Sequence, residues 1–148
     1  MARQAFKRPE SVLVLVYTSA GEVLLLRRRQ PDDFWQSVTG SLEPGEAPLQ
    51  AARRELREET GLALDEALVD CRTTNRFVIL PAWRNRYAPD VTHNLEYVFR
   101  IAFVERPVIR IDPAEHLEYR WLDRQAAAAL AGSYTNRDAI LAWVPDPP

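Results

Sequence analysis

GSLEPGEAPLQAARRELREETGL, residues 40–62, is the stretch from which the rest of the chain can be read. It holds three of the chain's 5 glycines, Gly40, Gly45 and Gly61. Between the last two, almost every position favours helix. Pro48 suits a first helical turn, where its missing N–H is no loss. Leu49, Ala52 and Leu56 follow at helical spacing and predict one buried stripe. Gly61 is placed to end the helix in a left-handed conformation. Glu55, Glu58 and Glu59 then share the adjacent flank.

Those acids allow two readings. Glu55 and Glu59 are a like-charge pair at i,i+4, which costs a helix roughly 0.2–0.5 kcal/mol. A solvated face balanced by Arg53, Arg54 and Arg57 would tolerate that cost. A carboxylate cluster for a hard divalent cation would use it, because Mg²⁺ prefers oxygen ligands and bridges carboxylates to substrate phosphates. The loop–helix–glycine setting favours the second reading.

The chain has 148 residues and predicts a single domain, 1–148, with enough length to bury a core. An apolar share of 47% with 27% charged residues is that of a soluble globular protein. A net charge of -2 argues against a general nucleic-acid binder. The lone Cys71 excludes an internal disulfide, suits a reducing compartment and reads as a small core residue. The run Val12–Tyr17 is too short for a membrane span or a signal-peptide core, so a cytoplasmic protein with no membrane partner is expected.

In order, residues 3–9 read as a basic lead-in, and Val12–Tyr17 as a strand buried on both faces. Ser19–Glu22 reads as a turn and Val23–Arg28 as a second strand ending in an arginine run. That run is either a solvated strand end or a phosphate clamp. Phe34–Thr39 is short and extended, with Trp35 a packing residue. Leu64–Thr74 and Arg76–Pro81 read as two strands, Trp83–Asn94 as a loop, Glu96–Val104 and Glu118–Leu122 as strands. Asp123 predicts an N-cap for a helix Arg124–Ala131 closed by Gly132. Thr135–Asp138 resembles a capping box opening a last helix whose apolar face is Ile140, Leu141 and Val144. The PDPP terminus reads as a disordered tail. This order of elements indicates a mixed sheet covered by helices.

Residues 40–62 also resemble the Nudix box, G-x5-E-x7-R-E-U-x-E-E-x-G-U with U aliphatic. Gly40, Glu46, Arg54, Glu55, Leu56, Glu58, Glu59, Gly61 and Leu62 fill it without a mismatch. Beyond the box, FKRPESVLVLVY, DFWQSVTGS, RYAPDVTHN, EHLEYRWLD, AAAAL and SYTNRDAI are similar to one Nudix subgroup, the bacterial dihydroneopterin triphosphate diphosphatases. That resemblance runs essentially end to end. It departs at His93, where an arginine is expected, and at Asp90, where a glycine is expected.

The resemblance implies the Nudix fold, an α/β/α sandwich with a central mixed β-sheet and the box as loop-helix-loop. It implies hydrolysis of 7,8-dihydroneopterin triphosphate to the monophosphate and pyrophosphate, a step in folate synthesis. It further implies Mg²⁺, with Mn²⁺ as a substitute, held by Glu55 and Glu59 with Glu58 and Glu115 as further ligands. Glu55, Glu58, Glu59 and Glu115 are the catalytic candidates, and which one is the base stays open. Lys7, Arg28, Thr39, Phe77, Val78, Ile79, Leu80 and Ser133 match positions expected to touch substrate. Phe77, Trp35 or Tyr87 would cover a flat ring. The partner expected is a small-molecule triphosphate, not nucleic acid, with the chain a monomer or homodimer. Two alternatives are a housecleaning nucleoside triphosphate pyrophosphatase of the same superfamily and a non-catalytic nucleotide-sensing module. The intact set of box glutamates weighs against the last.

Overall fold

Strand β1 (Glu10–Thr18) runs through the middle of the molecule, and every residue of it after Glu10 is buried. Its unbroken apolar run of alternating Val and Leu supports that position because both faces of the strand are covered. The structure is a computed structural model that describes residues 6–146. The elements after β1 are β2 (Glu22–Arg28), β3 (Trp35–Gln36), β4 (Val38–Ser41), α1 (Pro48–Thr60) and β5 (Val69–Val78). They are followed by β6 (His93–Phe103), β7 (His116–Asp123), α2 (Arg124–Leu130) and α3 (Tyr134–Trp143). Short 3-10 turns lie at Asp65–Ala67 and Pro81–Arg86.

The sheet is mixed. β1 pairs in parallel with β6, from Glu10 opposite Leu95 to Thr18 opposite Phe103. It pairs antiparallel with β4 at its start and with β2 at its end. β5 lies antiparallel on β6, and β7 and β3 lie antiparallel on β2. Strand alternation sorts the core into two layers. Val12, Val14 and Val16 pack with Ala51, Ala52 and Leu56 of α1. Leu13, Leu15 and Tyr17 pack with Ala127 and Ala128 of α2 and with Ala139, Ile140 and Val144 around α3. Trp35 and Cys71 are buried in this second layer. Helices therefore cover both faces of one sheet, as the expected fold class requires.

Several local expectations change. Leu49 is 37% exposed, and the buried stripe of α1 is Ala51, Ala52, Leu56, Glu59 and Thr60. The helix turns so that Glu59 faces inward with the apolar residues. The two strands expected over 64–81 are one, β5, whose register slips between Asp70 and Thr74 around Arg72 at φ 52°. A bulge mimics a strand break in sequence because it interrupts alternation. Asp123 does cap α2, accepting from the Ala126 N–H at 2.9 Å. Gly132, however, does not close that helix in a left-handed turn. A Cβ there would overlap the Phe34 ring, so close approach explains it. α3 begins two residues before the expected box: Ser133 is the N-cap, accepting from the Asn136 N–H at 3.1 Å. Leu141 is exposed, and Ala139 takes its place on the buried face. Residues 3–5 of the lead-in and the last two of the tail lie outside the described residues. No described helix is long and apolar enough to cross a membrane.

Candidate active site

The loop before α1 is held by two arginines. Arg8 Nη1 donates to the carbonyls of Glu43 and Glu46, both at 3.1 Å. Arg54, almost two turns into the helix, grips Glu46 with Nε and Nη2, each at 2.8 Å. Its Nη1 donates to Glu55 Oε1 at 2.7 Å and reaches Glu58 Oε2 at 3.3 Å. Hydrogen bonding to Glu46 above all raises the Arg54 pKa and lowers that of Glu46. The like-charge cost on the helix is thus offset by one guanidinium shared among three acids. Gly61 ends α1 at φ 78° and donates to the Arg57 carbonyl, the left-handed cap that its position predicts.

Glu55 and Glu59 face the strand that precedes the loop. A side chain at Gly40 would overlap the Glu55 carboxylate, so glycine there is a matter of space. Glu59 is 5% exposed, and neither of its oxygens has a hydrogen-bond partner. Burial first, and the adjacent Glu55 second, push its pKa well above the usual carboxylate range. Burial and Glu55 also raise that of Glu58. His116, buried at the start of β7, brings Nε2 to 3.7 Å from Glu59 Oε1, beyond hydrogen-bond range. Burial, then the nearby Arg28 charge, lowers the His116 pKa.

No three acidic, imidazole or thiol groups among the described residues are gathered as a ready ligand set. Arg54 draws Glu46, Glu55 and Glu58 toward itself instead. The donor chemistry still fits a hard cation. A buried carboxylate with both oxygens unsatisfied lies against a second carboxylate, with a third a turn away, which is an oxygen-rich set of the kind Mg²⁺ takes.

These residues form one wall of a cleft of about 820 Å³. Glu115, Lys7, Arg28, Thr39, Phe77, Val78, Ile79, Leu80 and Ser133 all line the same cleft. Lys7 is tied to the opposite rim by its backbone N–H, which donates to the Arg86 carbonyl at 2.8 Å. Partial burial, then Arg86 and Arg28, lower its pKa, although the residue as a whole remains exposed. Arg28 lies over the Trp83 ring at 5.6 Å, and Phe34 packs edge-on to that ring. Arg29 and Arg86 complete a basic side facing the acids. Thr39 spends its hydroxyl proton on the Val12 carbonyl at 2.8 Å. In the Phe77–Leu80 stretch, Ile79 is buried while Val78 and Leu80 are exposed. Tyr87 also lines the cleft, whereas Trp35 is core.

A carboxylate cluster opposite a basic wall suits an anionic, metal-chelating substrate. A family model for the NUDIX domain matches residues 7–144. The chain belongs to the NUDIX family. Its sequence is 47% identical to the dihydroneopterin triphosphate diphosphatase of Escherichia coli K12, over 97% of each chain. The dihydroneopterin triphosphate diphosphatase of Haemophilus influenzae is 41% identical over 91% of this chain and 87% of its own. The solved structure of the E. coli dihydroneopterin triphosphate pyrophosphohydrolase superposes with a TM-score of 0.89, covering 94% of this chain and 97% of that one.

The NUDIX cleft also contains residues that sequence reading left aside. His116, Gln36, Asn94, Glu96 and Asn136 are buried polar groups on its lining. A signal for two of them was present: Asn94 and Glu96 are alternate polar residues near the start of β6, and both are buried.

Proposed function

We propose that this NUDIX protein is a Mg²⁺-dependent pyrophosphohydrolase that converts 7,8-dihydroneopterin triphosphate to the monophosphate and pyrophosphate. The observation carrying this reading is 47% identity, over 97% of both chains, to a dihydroneopterin triphosphate diphosphatase. Two carboxylates and a basic wall on one cleft support the reaction class. The enzyme would act in the cytoplasm as a single domain, as a monomer or homodimer, on a small-molecule substrate.

In this reading Glu55 and Glu59, with Glu58, hold the cation, and Glu115 completes the set from the other side of the cleft. A bound divalent cation supplies Lewis-acid neutralisation of charge on the phosphate oxygens. The chain's own part is positioning. Lys7 and Arg28 hold the triphosphate, the guanidinium as a two-pronged donor. Arg54 fixes the direction of Glu55 through its 2.7 Å bond. A carboxylate takes the proton of the attacking water; Glu115 and the box glutamates are the groups placed to do so, with general-base help worth about 10²–10⁴-fold. Phe77 and Tyr87 offer flat faces to a ring.

The test is to offer purified protein dihydroneopterin triphosphate and a panel of nucleoside triphosphates with Mg²⁺ and to identify the released phosphate. Pyrophosphate, with the pterin triphosphate preferred, is expected. Orthophosphate alone, or preference for a nucleoside triphosphate, overturns the substrate.

A further inference from the structure

The floor of the cleft carries polar groups that the phosphate chemistry does not use. β6 presents Asn94 and Glu96 there at alternate positions, 2% and 4% exposed. Ser11 of β1 and Asn75 of β5 flank Glu96 in the sheet. Asn75 Nδ2 donates to Glu96 Oε1 at 3.4 Å, a long bond, and the Thr135 hydroxyl is a second donor to the carboxylate. Burial outweighs both and raises the Glu96 pKa. Asn94 donates to Ser11 Oγ at 2.7 Å and leaves its own Oδ1 without a partner. Gln36 of β3, 6% exposed and on the same lining, leaves Nε2 without one. Buried polar groups are rarely left unmatched, and a floor with two unmatched polar atoms beside a buried carboxylate suits a ligand that completes them.

We propose that Glu96, with Asn94 and Gln36, is the anchor for the 2-amino-4-oxo edge of the pteridine ring, and so sets base specificity. The inference rests on the substrate class of the preceding section. That edge offers a ring N–H and an exocyclic amine side by side, with a carbonyl next to them. A carboxylate accepts from the two donors as a parallel pair. Asn94 Oδ1 is a second acceptor for the amine, and Gln36 Nε2 a donor for the carbonyl. Leu13 and Phe77, the latter opposite Asn94 in the sheet, supply apolar surface to the ring. Adenine and cytosine place a ring acceptor where the carboxylate needs an N–H, and a buried carboxylate rejects that pairing. Guanine carries the same edge as the pterin and is accepted by the same groups.

Glu96→Gln tests this at constant volume. With Mg²⁺, kcat/KM is measured for dihydroneopterin triphosphate, GTP and ATP. Without metal, binding of neopterin and adenosine is measured by fluorescence and calorimetry. The variant is expected to lose about 10- to 100-fold with the pterin and guanine substrates, the range for one charge-assisted bond. Neopterin affinity should fall alike, the ATP rate should hold or rise because the new amide can donate to the adenine ring nitrogen, and the thermal midpoint should not fall. Gln36→Met, which removes only a donor, should lose about 10-fold on the same two substrates. Equal loss on all three triphosphates, or no loss on the pterin, overturns the anchor. Wild-type preference for GTP over the pterin overturns the substrate reading and leaves the anchor standing. Pterin preference that survives Glu96→Gln does the reverse, and wild-type preference for ATP overturns both.

Discussion

Glu59 is buried, aimed at a second carboxylate and unsatisfied, a state that a protein keeps for function. Glu59→Gln should lower turnover by more than about 100-fold, since even outer-shell partners of a metal site cost 10–100-fold. Its thermal midpoint should equal or exceed that of the wild type, read by calorimetry. Near-normal activity would mean the cation lies elsewhere. Glu115→Gln, on an exposed residue, should lose activity severely while the midpoint still responds to Mg²⁺. Gly40→Ala makes a sharper test of geometry. The added methyl overlaps the Glu55 carboxylate, which Arg54 holds at 2.7 Å, so Glu55 must give up that contact; activity should fall, and stability with it by about 1–3 kcal/mol. At this scale the box was legible because all its acids sit on one helix at fixed spacing. Glu96 and His116 were not, because their meaning comes from β5, α1 and α3, which only the folded chain brings beside them.

At the scale of elements, capping and catalysis can be separated on two adjacent helices. Asp123 and Ser133 each accept an N–H at the start of their helix, a contact worth about 1 kcal/mol. Asp123→Ala and Ser133→Ala should both lower the melting temperature, by roughly 2–6 °C. Only Ser133→Ala should also raise KM, because only Ser133 lines the cleft. Equal KM values would reduce Ser133 to a cap. The strands and helices were mostly legible from alternation and from their cap residues. The bulge in β5 and the rotation of α1 were not. Leu49 is apolar yet exposed, and Glu59 is charged yet buried, so pattern alone set the helix face about one position wrong.

Across the whole molecule, Mg²⁺ should couple to stability. A ligand at 100 times its Kd adds about 2.7 kcal/mol, so the melting temperature should rise with Mg²⁺ and the rise should shrink in Glu59→Gln. Acid should act through the central pair of strands. Glu10 accepts from the Tyr97 hydroxyl and from Arg8, both at 2.7 Å, and the Tyr97 bond above all holds its pKa below the ordinary range. The folded state therefore binds fewer protons there. The stabilisation is present above the unfolded carboxylate pKa and is lost as pH falls through the folded one. Glu10→Gln should flatten that part of a stability-versus-pH curve, measured by urea unfolding.

The same pair of strands sets a timetable for the nascent chain. Glu10 and Tyr97 bond across 87 residues of sequence, so β1 leaves the ribosome long before its parallel neighbour exists. Until β6 arrives, an uncharged run from Val12 to Tyr17 waits with one side open, free to associate with other chains. Refolding should accordingly be slow for a protein this small and lose yield as concentration rises. A charge placed within Val12–Tyr17 to prevent that would abolish the core it protects, so this chain carries an aggregation hazard during synthesis that its finished form conceals.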